Sequence, residues 1–361
     1  MACLGISCCQ LASPCIGFPQ RRAVREEKAP MTSKFITGML VAGMIGAGTV
    51  SAAAAEKMHL ALDFLPGPGY SAYFFGVQSG IYEKHGIELR ITKGLGSGDT
   101  LMKLAGGAAD VGLADASALF TARAQQKLPV KMIATVQSTS PHSLFVMTDS
   151  GITNFSGLEN KKIGITPGNS HKLYFPEIAK RSGTDADKIR WVTVDAASMG
   201  PLLISGQIDA APFYASHYYF INKQAKKVGK EIRVLPFSDV GFSIYSNAVH
   251  ASEKMIKDRP EMLRAFVAAT LEAWHGAQKD PEAACKATVK MNPEVILEDC
   301  LGTFSLVLKY VFNDVAAKDG LGGINDARLK ETYAIVAKAQ ELDPNANPSD
   351  AVDTSFLPTK K

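Results

Sequence analysis

Three short turns put small polar side chains at expected helix starts: Gly96-Ser-Gly-Asp-Thr100, Ala114-Asp-Ala-Ser117 and Gly168-Asn-Ser-His171. The first turn of a helix leaves backbone N–H groups without intrahelical partners, so each turn could take a carboxylate or a sulfonate. Asp115 and Asp195 offer the opposite chemistry, an acceptor for a ring N–H or an amine. Tyr70, Tyr214, Tyr218, Phe242 and Tyr245 could stack on a flat ring or equally pack a core. Singly, the turns read as ordinary helix caps; together, at strand ends, they read as parts of a ligand site. The P-loop spacing, G-x-G-x-x-G and the G-x-S-x-G elbow are all absent. The seven histidines are scattered without metal-ligand spacing, so no metal or cofactor is expected. His142 and His171 read more readily as surface or capping residues than as cleft residues.

The elements that would position these groups follow from periodicity. Leu101, Leu104 and Ala105 recur at helical spacing, which predicts a helix from about Asp99, capped by Ser97 or Gly98 and ended by Gly106-Gly107. Asp110-Val-Gly-Leu-Ala then reads as a short buried strand, and Ala116 opens another helix. Further strands are expected over 58–63, 86–92, 130–137, 143–148, 189–195, 207–214 and 242–249, with a short helix end and a strand within 158–166 and helices over 71–83, 172–181 and 199–205. Pro260 starts a long amphipathic helix with Leu263, Phe266, Val267, Thr270, Leu271 and Trp274 on one face. Helices near 281–290, 294–312 and 325–340 complete the chain, and the Pro/Asn/Ser-rich tail is expected to be loose. This alternation predicts an α/β fold whose ligand sits outside the carboxyl ends of its strands.

Composition narrows the partners. The net charge is +4, but residues 1–55 hold five Lys/Arg and two Glu, which leaves 34 basic against 33 acidic residues beyond them. No basic stripe is evident, which argues against a nucleic-acid partner. Lys34, the apolar run Phe35–Gly46 and the small residues of Val50–Ala55 read as a secretory signal over 31–55, with the mature chain expected from Ala54, Ala55 or Glu56. Residues 1–30, which include Cys3, Cys8, Cys9 and Cys15, read as an over-extended start ahead of Met31. Cys285 and Cys300 remain, and two cysteines this close in an oxidising compartment read as a candidate disulfide.

The Gly-Ser-Gly-Asp turn, its helix and Ala105-Gly-Gly-Ala-Ala-Asp-Val-Gly112 resemble the first lobe of periplasmic solute-binding proteins of ABC importers. The group resembled is the type II one that includes binders of thiamine pyrimidine precursors, riboflavin, taurine, alkanesulfonates and nitrate. Gly206, Asp209, Ala210 and Ala211 match its G-x-x-D-A-A form, and Asp63, Phe64, Pro66 and Tyr70 match its first ligand loop. Phe64, Gly67 and Gly69 stand where the pyrimidine binders usually carry Trp, Asn and His. The resemblance implies two lobes with a cleft between them and a helical C-terminal return. The expected parts are 56–148 in lobe 1, 149–241 in lobe 2, 242–345 back in lobe 1, and 346–361 as the tail. It also implies a monomeric periplasmic subunit that closes on a small organic solute and delivers it to membrane permease subunits. The expected ligand residues are Asp63, Phe64, Tyr70, Ser97, Asp99, Thr100, Asp115, Gln137, Asn169, Ser170, Asp195 and Tyr214. Two alternatives stand beside it: a thiamine-pyrimidine-synthase-like enzyme, whose iron-binding cysteine cluster this chain lacks, and a sensory ligand-binding module.

Overall fold

The computed structural model describes residues 55–358, so the expected extension and nearly all of the expected signal lie outside the described residues. The chain opens with β1 (Glu56–Ala61), α1 (Ser71–Gln78), α2 (Ile81–Lys84), β2 (Ile87–Thr92), α3 (Ser97–Ala105), β3 (Val111–Asp115), α4 (Ala116–Gln126) and β4 (Val130–Thr135). A second run follows: β5 (His142–Met147), β6 (Lys162–Ile165), α5 (Ser170–Ser182), β7 (Arg190–Thr193), α6 (Met199–Ile204), β8 (Ala210–Tyr214), α7 (Tyr218–Lys226) and β9 (Ile232–Pro236). The return holds β10 (Asn247–Ser252), α8 (Glu253–Asp258), α9 (Pro260–Lys279), α10 (Pro281–Met291), α11 (Leu297–Val311), α12 (Asp314–Asp319) and α13 (Asp326–Ala339).

Two five-stranded sheets result, ordered β2-β1-β3-β10-β4 and β7-β6-β8-β5-β9. β1 runs parallel to β2 and β3, and β6 runs parallel to β7 and β8. Each sheet then admits one antiparallel strand, β10 in the first and β5 in the second. β3 is buried along its whole length, as expected of a strand covered on both faces. β5 corrects the expected lobe boundary. It pairs with β8 and β9, so the chain leaves the first sheet at 136–141 rather than after 148. Its continuous apolar run says that it is buried and not which sheet it joins.

The chain crosses back over 237–246, beside the first crossing. Gln137 N–H donates to Asn247 O at 2.9 Å and Ser246 N–H donates to Gln137 O at 3.1 Å. The strand expected over 242–249 therefore starts only at Asn247, and Phe242, Ile244 and Tyr245 are buried in the crossing itself. α7 and β9 have no counterpart in the sequence reading. α7 buries only Ile221, Asn222 and Ala225, too thin an apolar stripe to stand out.

α9 buries Leu263, Phe266, Val267, Thr270 and Trp274, while Leu271 stays partly exposed. Gly76 lets α1 lie close to it: a Cβ there would meet Ala273 Cβ at 2.9 Å and the Tyr82 ring at 2.6 Å. Cys285 and Cys300 join α10 to α11, with Cα atoms 5.6 Å apart. The tail is not loose. Val352 bridges Met132, Asp353 N–H donates to Met132 O at 2.9 Å, and Phe356 is buried. β4 is an edge strand, and its free backbone groups take up the tail's polar turns. Among the described residues no helix is long and apolar enough to cross a membrane.

Candidate functional site

The two lobes meet where glycines remove side chains. Gly98 N–H donates to Gly168 O at 3.3 Å. A Cβ on Gly96 would fall 2.8 Å from Gly168 O and from Pro167 O. Behind this contact lies Asp115, the N-cap of α4 and fully buried. Its carboxylate accepts from the Ser117 N–H at 3.1 Å, the Ser117 hydroxyl at 2.9 Å and the Ser246 hydroxyl at 2.8 Å. The Tyr174 hydroxyl of the second lobe also donates to it, and His142 Nε2 stands 3.2 Å away. Ser170 Oγ lies 3.1 Å from that same His142 nitrogen. The other ring nitrogen, Nδ1, lies 2.8 Å from Ser140 Oγ, so polar partners hold the His142 imidazole on both sides. The cluster is a polar tie between lobes.

Beside the tie is a cavity of about 60 Å³ whose walls include Asp63, Phe64, Tyr70, Gly96, Ser97, Asn169, Ser170, His171, Phe213, Tyr214 and His217. Five of these, Phe64, Tyr70, Phe213, Tyr214 and His217, also wall a chamber of about 650 Å³. That volume suits a small organic ligand, for which roughly 300–1,000 Å³ is usual. Rings from both lobes converge there: Phe64 and His217 centroids are 6.3 Å apart edge to face, and Phe213 and His217 are 5.6 Å apart. A further groove of about 690 Å³ is walled by Gln125, Gln126, Lys172 and Gln340 among others, and no aromatic ring lines it.

Burial shifts the cavity's titratable groups toward their uncharged forms. Desolvation raises the Asp63 carboxyl to about 6, although the Tyr70 hydroxyl and Asn247 Nδ2 each donate to it at 2.9 Å. Desolvation lowers His217 to about 4 and holds His171 well below the usual imidazole range, with neighbouring His142 adding to the second effect. Burial, and next the Asp63 charge, pushes the Tyr70 phenol well up; burial, and next the Asp115 charge, does so for Tyr214. At neutral pH both tyrosines are donors and both histidines are uncharged.

The expected ligand residues part company here. Asp63, Phe64, Tyr70, Ser97, Asn169, Ser170 and Tyr214 wall the small cavity, and Gln137 walls the chamber. Asp115 does not line either space, because its acceptor positions serve both lobes. Thr100 is buried and donates to Leu62 O at 2.9 Å. Asp99 is the first-turn acid of α3 and pairs with Lys103 at 2.6 Å. Asp195 is exposed and accepts from the Ala197 N–H at 2.9 Å, closing a local turn ahead of α6. The helix-start N–H groups are partly taken, since Gly98 N–H meets Gly168 O and Asn169 Oδ1 caps His171 N–H. His142 and His171 are buried between the lobes rather than on the surface. Phe242 and Tyr245 are core residues.

The sequence reading missed Tyr73, Phe213, His217, Phe220, Asn247 and Trp274 as wall residues. The run His217-Tyr-Tyr-Phe220, directly after a strand end, was the available signal for two of them. Nothing local marks Trp274, which sits on the buried face of a helix like any core residue.

Known proteins agree with this architecture. The riboflavin-binding protein RibY of Chloroflexus aurantiacus is 24% identical over 310 residues, which span 84% of this chain and 86% of its own. The 4-amino-5-hydroxymethyl-2-methylpyrimidine phosphate synthase of Uromyces fabae is 22% identical over 249 residues, 66% of this chain and 72% of that protein. Among solved structures, the alkanesulfonate-binding protein SsuA of Xanthomonas axonopodis pv. citri, bound to MOPS, superposes with a TM-score of 0.65 at 14% identity, over 84% of this chain and 100% of that one. The fold is that of the periplasmic binding proteins. The profile of the family described as NMT1/THI5 like matches residues 68–284, more than half of the chain, and the protein belongs to that family.

Proposed function

We propose that this protein is the solute-binding subunit of an ABC importer, exported to the periplasm, and that it takes a small organic solute between its lobes. The observation that carries this reading is the aromatic chamber of about 650 Å³, walled by both lobes beside paired chain crossings. Hinge closure lets a ligand hold two lobes together, so binding and closure are linked. The solute is a heterocycle, an aromatic acid or a sulfonate. The likeness to a riboflavin-binding protein supports the first, and the likeness to a sulfonate-binding fold supports the last. A monomer that passes its solute to permease subunits fits this role.

A synthase has the Uromyces fabae likeness in its favour. Against it, Cys285 and Cys300, the cysteines among the described residues, are bonded to one another. A thermal-shift screen of heterocycles, aromatic acids and sulfonates tests the binding reading, since a bound solute raises the melting temperature by mass action. Saturable stabilisation by one class without turnover is expected; conversion of a ligand into a pyrimidine phosphate would replace this reading with the synthase. Export is checked by N-terminal sequencing of the periplasmic form. The expected start is Ala54, Ala55 or Glu56, and a start within 1–40 contradicts it.

A further inference from the structure

The contacts between the lobes differ in chemistry. At one, α4, α5 and α13 share a single apolar core in which Phe120, Tyr174, Phe175, Tyr333 and Val336 are buried together. The Phe120 and Tyr333 rings meet edge to face at 5.2 Å. At another, α7 of the second lobe meets α11 of the return through charge. Lys223 Nζ stands 2.5 Å from Asp299 Oδ1 and 2.9 Å from Glu298 Oε2, and the Tyr219 hydroxyl donates to Glu298 Oε1 at 3.5 Å. Lys223 is 32% exposed and Glu298 72%, against 8% for Asp299, so salt reaches one arm of this fork more readily than the other.

Gly302 belongs to the same contact. It lies inside α11, where glycine is a poor residue for the helix. A Cβ there would fall 2.4 Å from the Tyr219 ring, and this close approach is what a side chain would forbid. α11 also has leverage on the contact. Just past its C-terminal end, the Ser138 hydroxyl donates to Asn313 Oδ1 at 2.9 Å and Asn313 Nδ2 donates to Thr139 Oγ1 at 3.3 Å, which fixes that end to the first crossing. At 1.5 Å per residue, the span from 298 to 313 is about 22 Å. A rotation about the crossings therefore moves the start of α11 much further than its end. Ile296, Asp299 and Thr303 from this start, with Phe220 and Gln224 of α7, wall the large chamber.

We infer that the α7–α11 contact is a clasp on the chamber wall, held by Lys223 and loosened by salt, and that the chamber opens where it parts; what passes there rests on the solute-binding reading above. Parting an apolar core costs free energy in proportion to the area wetted, whereas ions leaving a half-exposed pair regain water. The Asp299 and Glu298 carboxylates push the Lys223 ammonium well above its usual range, and Lys223 holds the Glu298 carboxyl low, so the clasp keeps its charges across neutral pH. Salt is the lever that remains.

The test uses spin labels on the mature protein without solute. Labels at Val228→Cys and Lys290→Cys, exposed positions of the two lobes, report the distance across the clasp, and labels at Ala124→Cys and Lys180→Cys, on α4 and α5, report the apolar contact. Cys285 and Cys300 are bonded, so labels attach only at the introduced cysteines. Raising NaCl from about 20 mM to about 500 mM shortens the Debye length from about 20 Å to about 4 Å. The clasp distance should be mostly short in low salt and lengthen in high salt. Lys223→Gln should raise the open-to-closed ratio in low salt by roughly two- to fivefold, the range of a half-exposed ion pair, and abolish the salt response. Gly302→Ala should lengthen the distance in both salts, and adding Tyr219→Ala should restore the short distance by removing the ring that the new methyl strikes. The α4–α5 distance should stay constant throughout. A long clasp distance in low-salt wild type, a distance indifferent to salt and to Lys223→Gln, or equal lengthening of both label pairs overturns the inference. Should Gly302→Ala not fold, salt and Lys223→Gln decide it. These outcomes leave the importer reading to its own screen. If the clasp opens as expected and no solute raises the melting temperature, the clasp stands and its role as a passage falls.

Discussion

Gly96→Ala isolates the contact between lobes. A Cβ at this position would lie 2.8 Å from Gly168 C, Gly168 O and Pro167 O, all backbone atoms of the facing lobe. Ordinary carbon contacts begin near about 3.5 Å, and backbone cannot swing aside as a side chain can. The lobes must therefore separate by several tenths of an ångström or the turn must distort. Overpacking of this kind costs about 1–3 kcal/mol, which converts to roughly 5- to 150-fold in affinity if only the closed form bears it. The backbone itself adds a second cost, because Gly96 has φ +139. That strain is present with lobes open or closed, so it lowers stability and leaves affinity alone. Gly183→Ala supplies the control: Gly183 also has positive φ, +72, yet nothing lies within 4 Å of its would-be Cβ. Both variants should melt at lower temperature than the wild type. Only Gly96→Ala should lose affinity for the solute found in the thermal-shift screen, and only it should show a larger radius of gyration by solution scattering in the presence of that solute. Wild-type affinity and radius for Gly96→Ala would show that this contact does not limit closure.

Three further outcomes are expected. Replacing Cys285 and Cys300 by Ser should destabilise the protein by roughly 3 kcal/mol on the chain-entropy account, with affinity nearly unchanged; two free thiols in the unreduced, denatured wild type would refute the bond. Asp63→Asn should change the pH dependence of stability. The folded carboxyl at about 6 lies above its ordinary value of 3.8, so its contribution is fully present below about pH 4 and is lost as pH rises through 6. Denaturation midpoints at pH 4 and pH 7 should therefore show the variant gaining on the wild type at the higher pH, by up to about 3 kcal/mol; an equal gap at both pH values defeats the assignment. Tyr174→Phe removes a second-lobe donor from buried Asp115 and should cost about 1–3 kcal/mol. Faster hydrogen exchange is expected at both β3 and the start of α5, and protection equal to the wild type would mean that the bond does not tie the lobes.

Much of the architecture is legible in local pattern. α4 starts on its expected residue, Ala116, and α10 departs from its expected span by one, because apolar period and capping residues are properties of neighbours in the chain. α3 starts two residues earlier than expected, at Ser97, since Gly96 rather than Ser97 or Gly98 is the N-cap. The same logic fails for α7, whose buried face is too thin, and for β5, whose pattern fits either sheet. The tail shows the limit of composition. Pro, Asn and Ser mark turns, and whether turns are loose depends on what they meet, here the free edge of β4.

The candidate site divides in the same way. Sequence alone determined that small polar residues stand at helix starts and that an aromatic loop follows the first strand, because these are features of adjacent residues. Only the tertiary structure decided what those groups do. Asp99 and Asp115 are acids at helix starts, and Asp195 stands in the turn ahead of α6. Yet Asp99 pairs on its own helix, Asp195 closes its own turn in solvent, and Asp115 is consumed by Ser246 and Tyr174, residues 131 and 59 positions away. The walls of the chamber join residues as distant in sequence as Tyr73 and Thr303. Periodicity reports that a side chain is buried; it carries no record of whether that buried group finds a partner, because the partner arrives only when separate elements pack.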